Sequence, residues 1–134
     1  MTTINSEKKI INKPILKLFP FLCDLNNWQQ LMPDRVIDWR STADNFYFTI
    51  KGTASLGMKK SVITSEKQIL LIQDGKVPFD FNMEINFDLI SVNQTEVQMI
   101  LNADLNSLLK MVAVNPLKNF LNMLNDKLEE IILQ

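Results

Sequence analysis

The most constraining feature of this 134-residue chain is its last stretch, Asn115 to Gln134, which has the pattern of one amphipathic helix. Asn115 is a favourable N-cap and Pro116 a favourable first helical residue. At about 100° per residue the apolar side chains share an arc of about 120°, and the polar ones fill the remainder. The apolar set is Leu117, Phe120, Leu121, Leu124, Leu128, Ile131 and Ile132, and the polar set is Lys118, Asn119, Asn122, Asn125, Asp126, Glu129 and Glu130. A helix of roughly 28 Å needs a large apolar surface to pack on.

The middle of the chain has the period of two that is typical of half-buried strands. From Phe79 to Leu89 every second residue is apolar, and the residues between them are polar. Shorter stretches repeat the pattern, with the inward positions Ile37, Trp39, Phe46, Phe48, Ile50, Val97, Met99 and Leu101. Tyr47, Arg40 and Asn102 then point away from the core. One buried face and one wet face indicate an antiparallel sheet.

The segments around this sheet are less sharply defined. Thr2 to Ile11 is predicted to be a first strand. Two short helices follow, because Pro14 is suited to a first helical turn and apolar residues then recur at helical spacing as far as Met32. A break near Pro20 is an alternative, since an internal proline removes one hydrogen bond. Residues 106–114 have helical composition and form either a separate turn or an extension of the last helix.

Together these elements predict one α+β domain spanning residues 1–134. A single helix does not cover every inward side chain of a large sheet, so the sheet must curl around it. A curled sheet with one helix inside tends to leave a hollow.

Composition excludes several function classes. A formal net charge of −1 with no long basic run argues against nucleic-acid binding. The chain has no histidine, so His-dependent nucleophilic relays and His-bearing zinc sites are excluded. Its single cysteine, Cys23, lies in an apolar helix and is expected to be a buried hydrophobe in a reducing compartment. With no signal-peptide pattern and no apolar run long enough for a membrane span, we expect a cytoplasmic protein.

The first helical region resembles a known superfamily. Residues 13–33 have the sequence KPILKLFPFLCDLNNWQQLMP, and residues 77–81 (VPFDF) and 101–106 (LNADLN) continue the likeness. This pattern is similar to the START-like superfamily, also called SRPBCC, which includes polyketide cyclase-like proteins. The resemblance implies a helix-grip fold: an antiparallel sheet of about seven strands wrapped around the long C-terminal helix, two short helices after strand one, and an apolar cavity. Pro20 and the absence of histidine depart from the family pattern, and the second departure argues against a catalytic role.

The sequence therefore predicts a binding or carrier module for an apolar small molecule such as a lipid, quinone or polyketide-like ring. The predicted ligand-binding residues are aromatic, methionine or leucine side chains on the inward face. They are Trp39, Phe48, Met58, Phe79, Phe81, Met83, Phe87, Met99, Phe120 and Leu124. No catalytic residue, cofactor or metal is predicted, and the oligomeric state is left open. The alternatives are a cyclase- or isomerase-type enzyme using the same cavity and a protein-interaction module with a filled core.

Overall fold

A computed structural model describes residues 1–133. Its strands and helices follow one another in the order that the sequence pattern predicts. The strands are β1 (Thr2–Asn5), β2 (Lys9–Ile11), β3 (Val36–Ser41), β4 (Asn45–Ile50), β5 (Ala54–Thr64), β6 (Gln68–Gln73), β7 (Phe81–Ser91) and β8 (Gln94–Ala103). The helices are α1 (Ile15–Cys23), a 3₁₀ helix (Leu25–Leu31) and α2 (Ser107–Glu130).

All eight strands belong to one curved antiparallel sheet with the order β1-β8-β7-β6-β5-β4-β3, and β2 also pairs with β8. The predicted first strand is therefore split in two. Its interruption lies at Ser6, whose backbone N–H donates to the Met99 carbonyl and whose Oγ accepts from the Met99 N–H. The predicted α+β architecture, with a sheet wrapped around a long C-terminal helix, is confirmed.

The β7–β8 pair forms the middle of the sheet and follows the predicted alternation. Phe81, Met83, Ile85 and Phe87 are buried, whereas the polar residues between them are not. On β8, Val97, Met99 and Leu101 are buried in the same way. Leu89, predicted to point inward, is instead 65% exposed because β7 continues beyond the core toward its hairpin with β8.

The alternation fails at one place in β3. Asp38 has a φ of +56°, and the register with β4 shifts between Ile37 and Arg40. An extra residue at a bulge reverses the facing of the residues before it. Ile37, predicted to be inward, is exposed, whereas Val36 packs against the core and Trp39 keeps its predicted inward position.

The two helical segments after β2 cover one end of the sheet. Helix α1 continues through Pro20, so the alternative of a break near that residue is not what the structure shows. The chain changes direction at Asp24, whose carboxylate accepts from the Asn26 N–H and caps the 3₁₀ helix. Trp28 is fully buried there, donates from Nε1 to the Leu22 carbonyl at 2.9 Å and lies against Phe46.

Helix α2 begins earlier than the capping pattern predicted. Its N-cap is Asn106, whose Oδ1 accepts from the Leu109 N–H at 2.9 Å, and Pro116 lies inside the helix. The segment 106–114 is therefore a continuous extension of the helix. Pro116 has no N–H to donate to the Val112 carbonyl, so one helical hydrogen bond is missing at that point. The helix ends at Glu130, and Ile132, predicted to belong to the apolar arc, is 86% exposed beyond it. Gln134 lies outside the described residues.

Candidate functional site

The ten predicted ligand-binding side chains belong to a single apolar core between the sheet and α2. Trp39 is half-buried and packs against this core, and the other nine are buried. These nine are Phe48, Met58, Phe79, Phe81, Met83, Phe87, Met99, Phe120 and Leu124. The structure brings them together, but it does not test their predicted role in binding.

An aromatic chain crosses this interior from the sheet to the helix. The Trp39 and Phe48 rings lie 6.0 Å apart between centroids, and the Phe48 and Phe120 rings lie 5.6 Å apart. Phe46 contacts both Trp39 and Phe48 at 5.1 and 5.7 Å. Such spacings are those of mutually packed rings. The space between β3, β4 and the middle of α2 is therefore occupied by aromatic side chains.

A small cavity opens where the first half of α2 leaves the sheet. Its volume is about 150 Å³, and we call it the mouth cavity. It is lined by Gly52, Thr53, Ala54, Pro78, Phe79, Leu109, Val112, Ala113, Pro116 and Leu117. The lining residues are almost all apolar, and three of them, Phe79, Ala113 and Leu117, are part of the buried core. The Phe79 ring in turn contacts Phe81, 5.8 Å away.

Of the ten predicted residues, Phe79 alone lines the mouth cavity. The sequence interpretation missed the helical wall because it placed the start of α2 at Asn115, beyond Leu109, Val112 and Ala113. The signal was present, since Asn106 followed by Ser-Leu-Leu is a good capping sequence. The lining also includes a turn at Gly52, whose φ of +79° suits glycine.

The sequence interpretation also missed a polar side chain that is buried between the sheet and α2, in the space that we call the grip. Asn125 was assigned to the wet face of the last helix, but it is only 1% exposed. Its Nδ2 donates to the Glu7 carbonyl at 3.1 Å and to the Val97 carbonyl at 2.9 Å. Its Oδ1 is buried and has no donor among the described residues. On the helical projection Asn125 lies only about 20° from Ile132, at the edge of the predicted apolar arc.

Asn125 is part of a polar contact between the second half of α2 and residues 7–13, which we call the latch. Asn122 Oδ1 accepts from the Glu7 N–H at 2.7 Å, and Asp126 pairs with Lys9 at 3.1 Å. Glu129 accepts from both nitrogens of Asn12 at 2.9 Å. The Lys13 ammonium donates to the Glu129 carbonyl at 2.6 Å. The latch lies at the end of α2 that is remote from the mouth cavity.

The polar side chains predicted to point away from the core do so. Asn102 donates to Asn82 and Glu84 on the outer face of the sheet. Arg40 lies 4.9 Å from the Tyr47 ring centroid, and the Tyr47 hydroxyl donates to the Asp74 carboxylate. This hydrogen bond is the main reason that the pKa of Tyr47 is raised.

The polar side chains buried in the interior that residues 1–133 form are few and uncharged. The buried polar side chains among residues 1–133 are Ser6, Thr95 and Asn125, none of which titrates near neutral pH. Cys23 is half-buried, and burial raises the pKa of its thiol despite the positive charge of Lys60. A thiol with a raised pKa is a poor nucleophile. The described residues contain no group of three or more Cys, Asp or Glu side chains placed to hold a metal ion.

Larger depressions on the surface have a different character. One of about 880 Å³ runs past the β5–β6 hairpin and is lined by charged and amide side chains such as Lys67, Asp88, Glu96 and Gln98. It is more open than the mouth cavity and reaches the core at Ile15 and at the predicted ligand-binding residue Phe87, but charged and amide side chains make up much of its lining, so it suits an apolar ligand less well. Among residues 1–133 no helix combines the length and apolar character needed to cross a bilayer.

Comparison with known proteins reveals a likeness in fold. The sequence matches no protein-family model and no curated protein. Similar solved structures include the protein XoxI from Bacillus cereus, with a TM-score of 0.76 at 11% identity over 97% of this chain and 94% of that one. The Aha1 dimer from Colwellia psychrerythraea gives 0.68 at 18% identity over 96% and 97%.

A START superfamily protein from Mycobacterium smegmatis gives a TM-score of 0.70 at 11% identity, covering 96% of this chain and 94% of that one. The fold extends over nearly the full length of each chain in all three comparisons. The chain therefore has the helix-grip fold of the START-like superfamily.

Proposed function

We propose that this protein is a binding or carrier module for an apolar small molecule, which enters the grip through the mouth cavity. The observation that carries the proposal is the position of this cavity. Its apolar lining is continuous, through Phe79 and Leu117, with the aromatic and methionine-rich core between sheet and helix. Ligand sites are typically apolar concavities with few polar groups. The START-like fold of the chain supports the proposal.

The size of the mouth cavity indicates how binding proceeds. A volume of 150 Å³ is enough for a benzene-sized group and is below the roughly 300–1,000 Å³ of typical ligand pockets. A larger ligand therefore requires the helical wall to move outward. That wall is the first half of α2, which precedes Pro116. The hydrogen bonds of the latch hold only the second half of the helix. Displacement of the first half opens the core without breaking the hydrogen bonds that hold the second half.

The interior chemistry favours binding over catalysis. A cyclase or isomerase needs acids and bases that converge on the substrate, and the buried polar set, Ser6, Thr95 and Asn125, supplies none. Asn125 Oδ1 remains as a buried acceptor. Since buried acceptors are normally paired, a ligand that reaches this depth gains from carrying one hydroxyl or amide donor.

The test combines native mass spectrometry, to detect an apolar molecule that co-purifies, with binding of 1-anilinonaphthalene-8-sulfonate to the folded protein. We expect saturable binding at one site and a higher melting temperature, because a ligand that prefers the folded state stabilises it. Binding without stabilisation would indicate a molten state and would contradict the proposal.

Two variants locate the site. Ala113→Phe fills the mouth cavity from the helix, and Phe81→Trp narrows the interior from the sheet. Each should weaken dye binding by about tenfold or more, with overpacking costs of about 1–3 kcal/mol. Asn119→Phe, on the exposed side of the same helix, is the matched control. Dye binding that both cavity variants leave unchanged would place the site elsewhere.

A further inference from the structure

The first half of α2 presents apolar side chains to solvent. Leu108, Met111 and Val112 are 68%, 82% and 60% exposed. Their spacing of three and four residues places them together on one side of the helix. Single exposed apolar residues are ordinary, but a contiguous set beside an apolar opening indicates an interaction surface. Val112 belongs to both features, because it also lines the mouth cavity.

Lysines outnumber acidic residues beside this strip. The mouth cavity is lined from three segments, and residues 51–54, 75–79 and 105–119, which contain the lining residues and their neighbours, include four lysines and no Asp or Glu. These lysines are Lys51, Lys76, Lys110 and Lys118, all exposed and none in an ion pair within residues 1–133. Elsewhere the chain has the other 10 of its 14 basic residues and all 15 acidic ones.

Acidic residues occur just outside the three segments, at Asp74, Asp80 and Asp104. Asp74 accepts the hydrogen bond of the Tyr47 hydroxyl, and Asp80 accepts one from Gln73 Nε2. These hydrogen bonds come from neutral donors and leave the carboxylates charged, so over the wider region four lysines stand against three aspartates. The lysines have no partners in ion pairs within residues 1–133 and are available to an external anion.

We propose that this end of the molecule docks on the surface of a bilayer containing anionic phospholipid. Leu108, Met111 and Val112 enter the boundary between headgroups and acyl chains, and the four lysines contact the phosphates. Apolar side chains flanked by lysines are the combination by which peripheral helices bind anionic membranes. The net charge of −1 means that attraction depends on this local distribution and not on the whole protein.

A second copy of the chain fits the surface less well. A two-fold contact through the strip would bring the same four lysines of each copy toward one another, and like charges at an interface are unfavourable. A bilayer supplies the opposite charge together with an apolar layer. Membrane docking does not require that the grip hold a ligand. If the grip does hold one, docking would place the mouth cavity against the acyl chains.

Vesicle co-sedimentation tests the proposal with the full chain. We expect binding to vesicles of phosphatidylcholine with phosphatidylglycerol, much weaker binding to phosphatidylcholine alone, and release at high salt. The double variant Leu108→Asn with Met111→Gln should lose about tenfold or more in affinity. Lys110→Glu with Lys51→Glu should lose the preference for phosphatidylglycerol.

Leu16→Gln is the matched control, because Leu16 is also 68% exposed but lies on α1, in a depression that it shares with Ile132 and Leu133. Its vesicle binding should equal that of the unaltered protein. All variants replace exposed residues, and their melting temperatures verify that each is folded.

Absence of binding to phosphatidylglycerol vesicles would overturn the proposal, as would an equal loss in Leu16→Gln. A dimer in solution that Leu108→Asn with Met111→Gln dissociates would assign the strip to a protein contact instead. Dye binding in the grip is measured without vesicles, so failure of membrane docking and failure of the proposed ligand-binding function are distinguishable.

Discussion

The two halves of α2 share a helix but differ in what holds them. The second half, from Pro116, is attached to residues 7–13 by the six hydrogen bonds of the latch. The first half, Ser107 to Asn115, has a side-chain hydrogen bond at its Asn106 cap and otherwise apolar contacts around the mouth cavity. Polar contacts with fixed geometry set the position of one half, whereas non-directional packing leaves the other able to move.

The same outward side of the helix also changes character between the halves. It presents Leu108, Met111 and Val112 in the first half and mainly Asn119, Asn122 and Asp126 in the second. The polar half crosses the junction of β1 and β2, where unpaired backbone groups need partners. The apolar half extends to the opening of the grip. The residue types on this side of α2 therefore match their surroundings: polar residues lie beside the β1–β2 junction, and apolar residues lie at the opening.

The largest predicted difference in stability comes from introducing the same negative charge into each half of α2. Leu124→Asp introduces a carboxylate at a site that is 1% exposed. An unpaired buried charge costs several kcal/mol, comparable to the stability of a whole domain, so we expect an unfolded or molten protein. Met111→Asp, in the exposed part of the first half, should stay within about 0.5 kcal/mol. Urea unfolding of both measures the contrast, and equal midpoints would show that the helix facing is wrong.

Asn125→Asp should lower the free energy of unfolding by a smaller amount, about 2–4 kcal/mol at neutral pH. The new carboxylate faces the Glu7 and Val97 carbonyls and has no hydrogen to donate to them. Burial would raise the folded pKa of this Asp above its unfolded value near 4, so stability is retained below that value and lost as pH rises. Urea unfolding at several pH values provides the measurement. Asn122→Asp is the control, because Asn122 only accepts a hydrogen bond, which a carboxylate does as well. If the two variants lost similar amounts of stability, the contribution assigned to Asn125 in the latch would be wrong.

Glu129→Ala tests the outer part of the latch. The side chain accepts two hydrogen bonds from Asn12, and their loss should cost about 1–2 kcal/mol. Glu130→Ala is the matched control, because Glu130 is exposed and forms an ion pair with Lys127 at 3.4 Å, which contributes at most about 0.5 kcal/mol. Chemical denaturation of the pair distinguishes them. If Glu130→Ala proves the more damaging, the assignment of the latch is incorrect.

The smallest effect concerns the boundary between the halves. Amide hydrogens of residues 107–115 should exchange faster than those of 118–128, since the first half opens without breaking the latch. Pro116→Ala restores the N–H that can pair with the Val112 carbonyl, and we expect slower exchange in 107–115 with about 1 kcal/mol of added stability. Hydrogen exchange read by mass spectrometry resolves both segments. Uniform protection along α2 would contradict a movable first half.

Much of the fold was predictable because one residue pattern repeats over many positions. The alternation from Phe81 to Phe87 predicted the facing of β7, and Val97, Met99 and Leu101 on β8 are buried as predicted. Local errors occurred where a single residue changed the geometry. The bulge at Asp38 exposed Ile37, and Asn106 rather than Asn115 capped α2. The ten predicted ligand-binding residues lie together in or against the core, whereas their role in ligand binding stays a prediction.

By itself the sequence determined most of the element types and the buried faces of most strands, since these follow from periodicity along neighbouring residues, whereas the START-like helix-grip architecture was implied by the resemblance of residues 13–33, 77–81 and 101–106. Only the tertiary structure decided which groups meet across long sequence separations. Asn125 is buried because the interrupted strand at Glu7, 118 residues away, offers a carbonyl to its amide. The mouth cavity exists because the Gly52 turn, Pro78 and Val112 converge from three separate segments. Periodicity carries no information about such partners, because a side chain's pattern along its own helix or strand does not specify what the sheet brings opposite it.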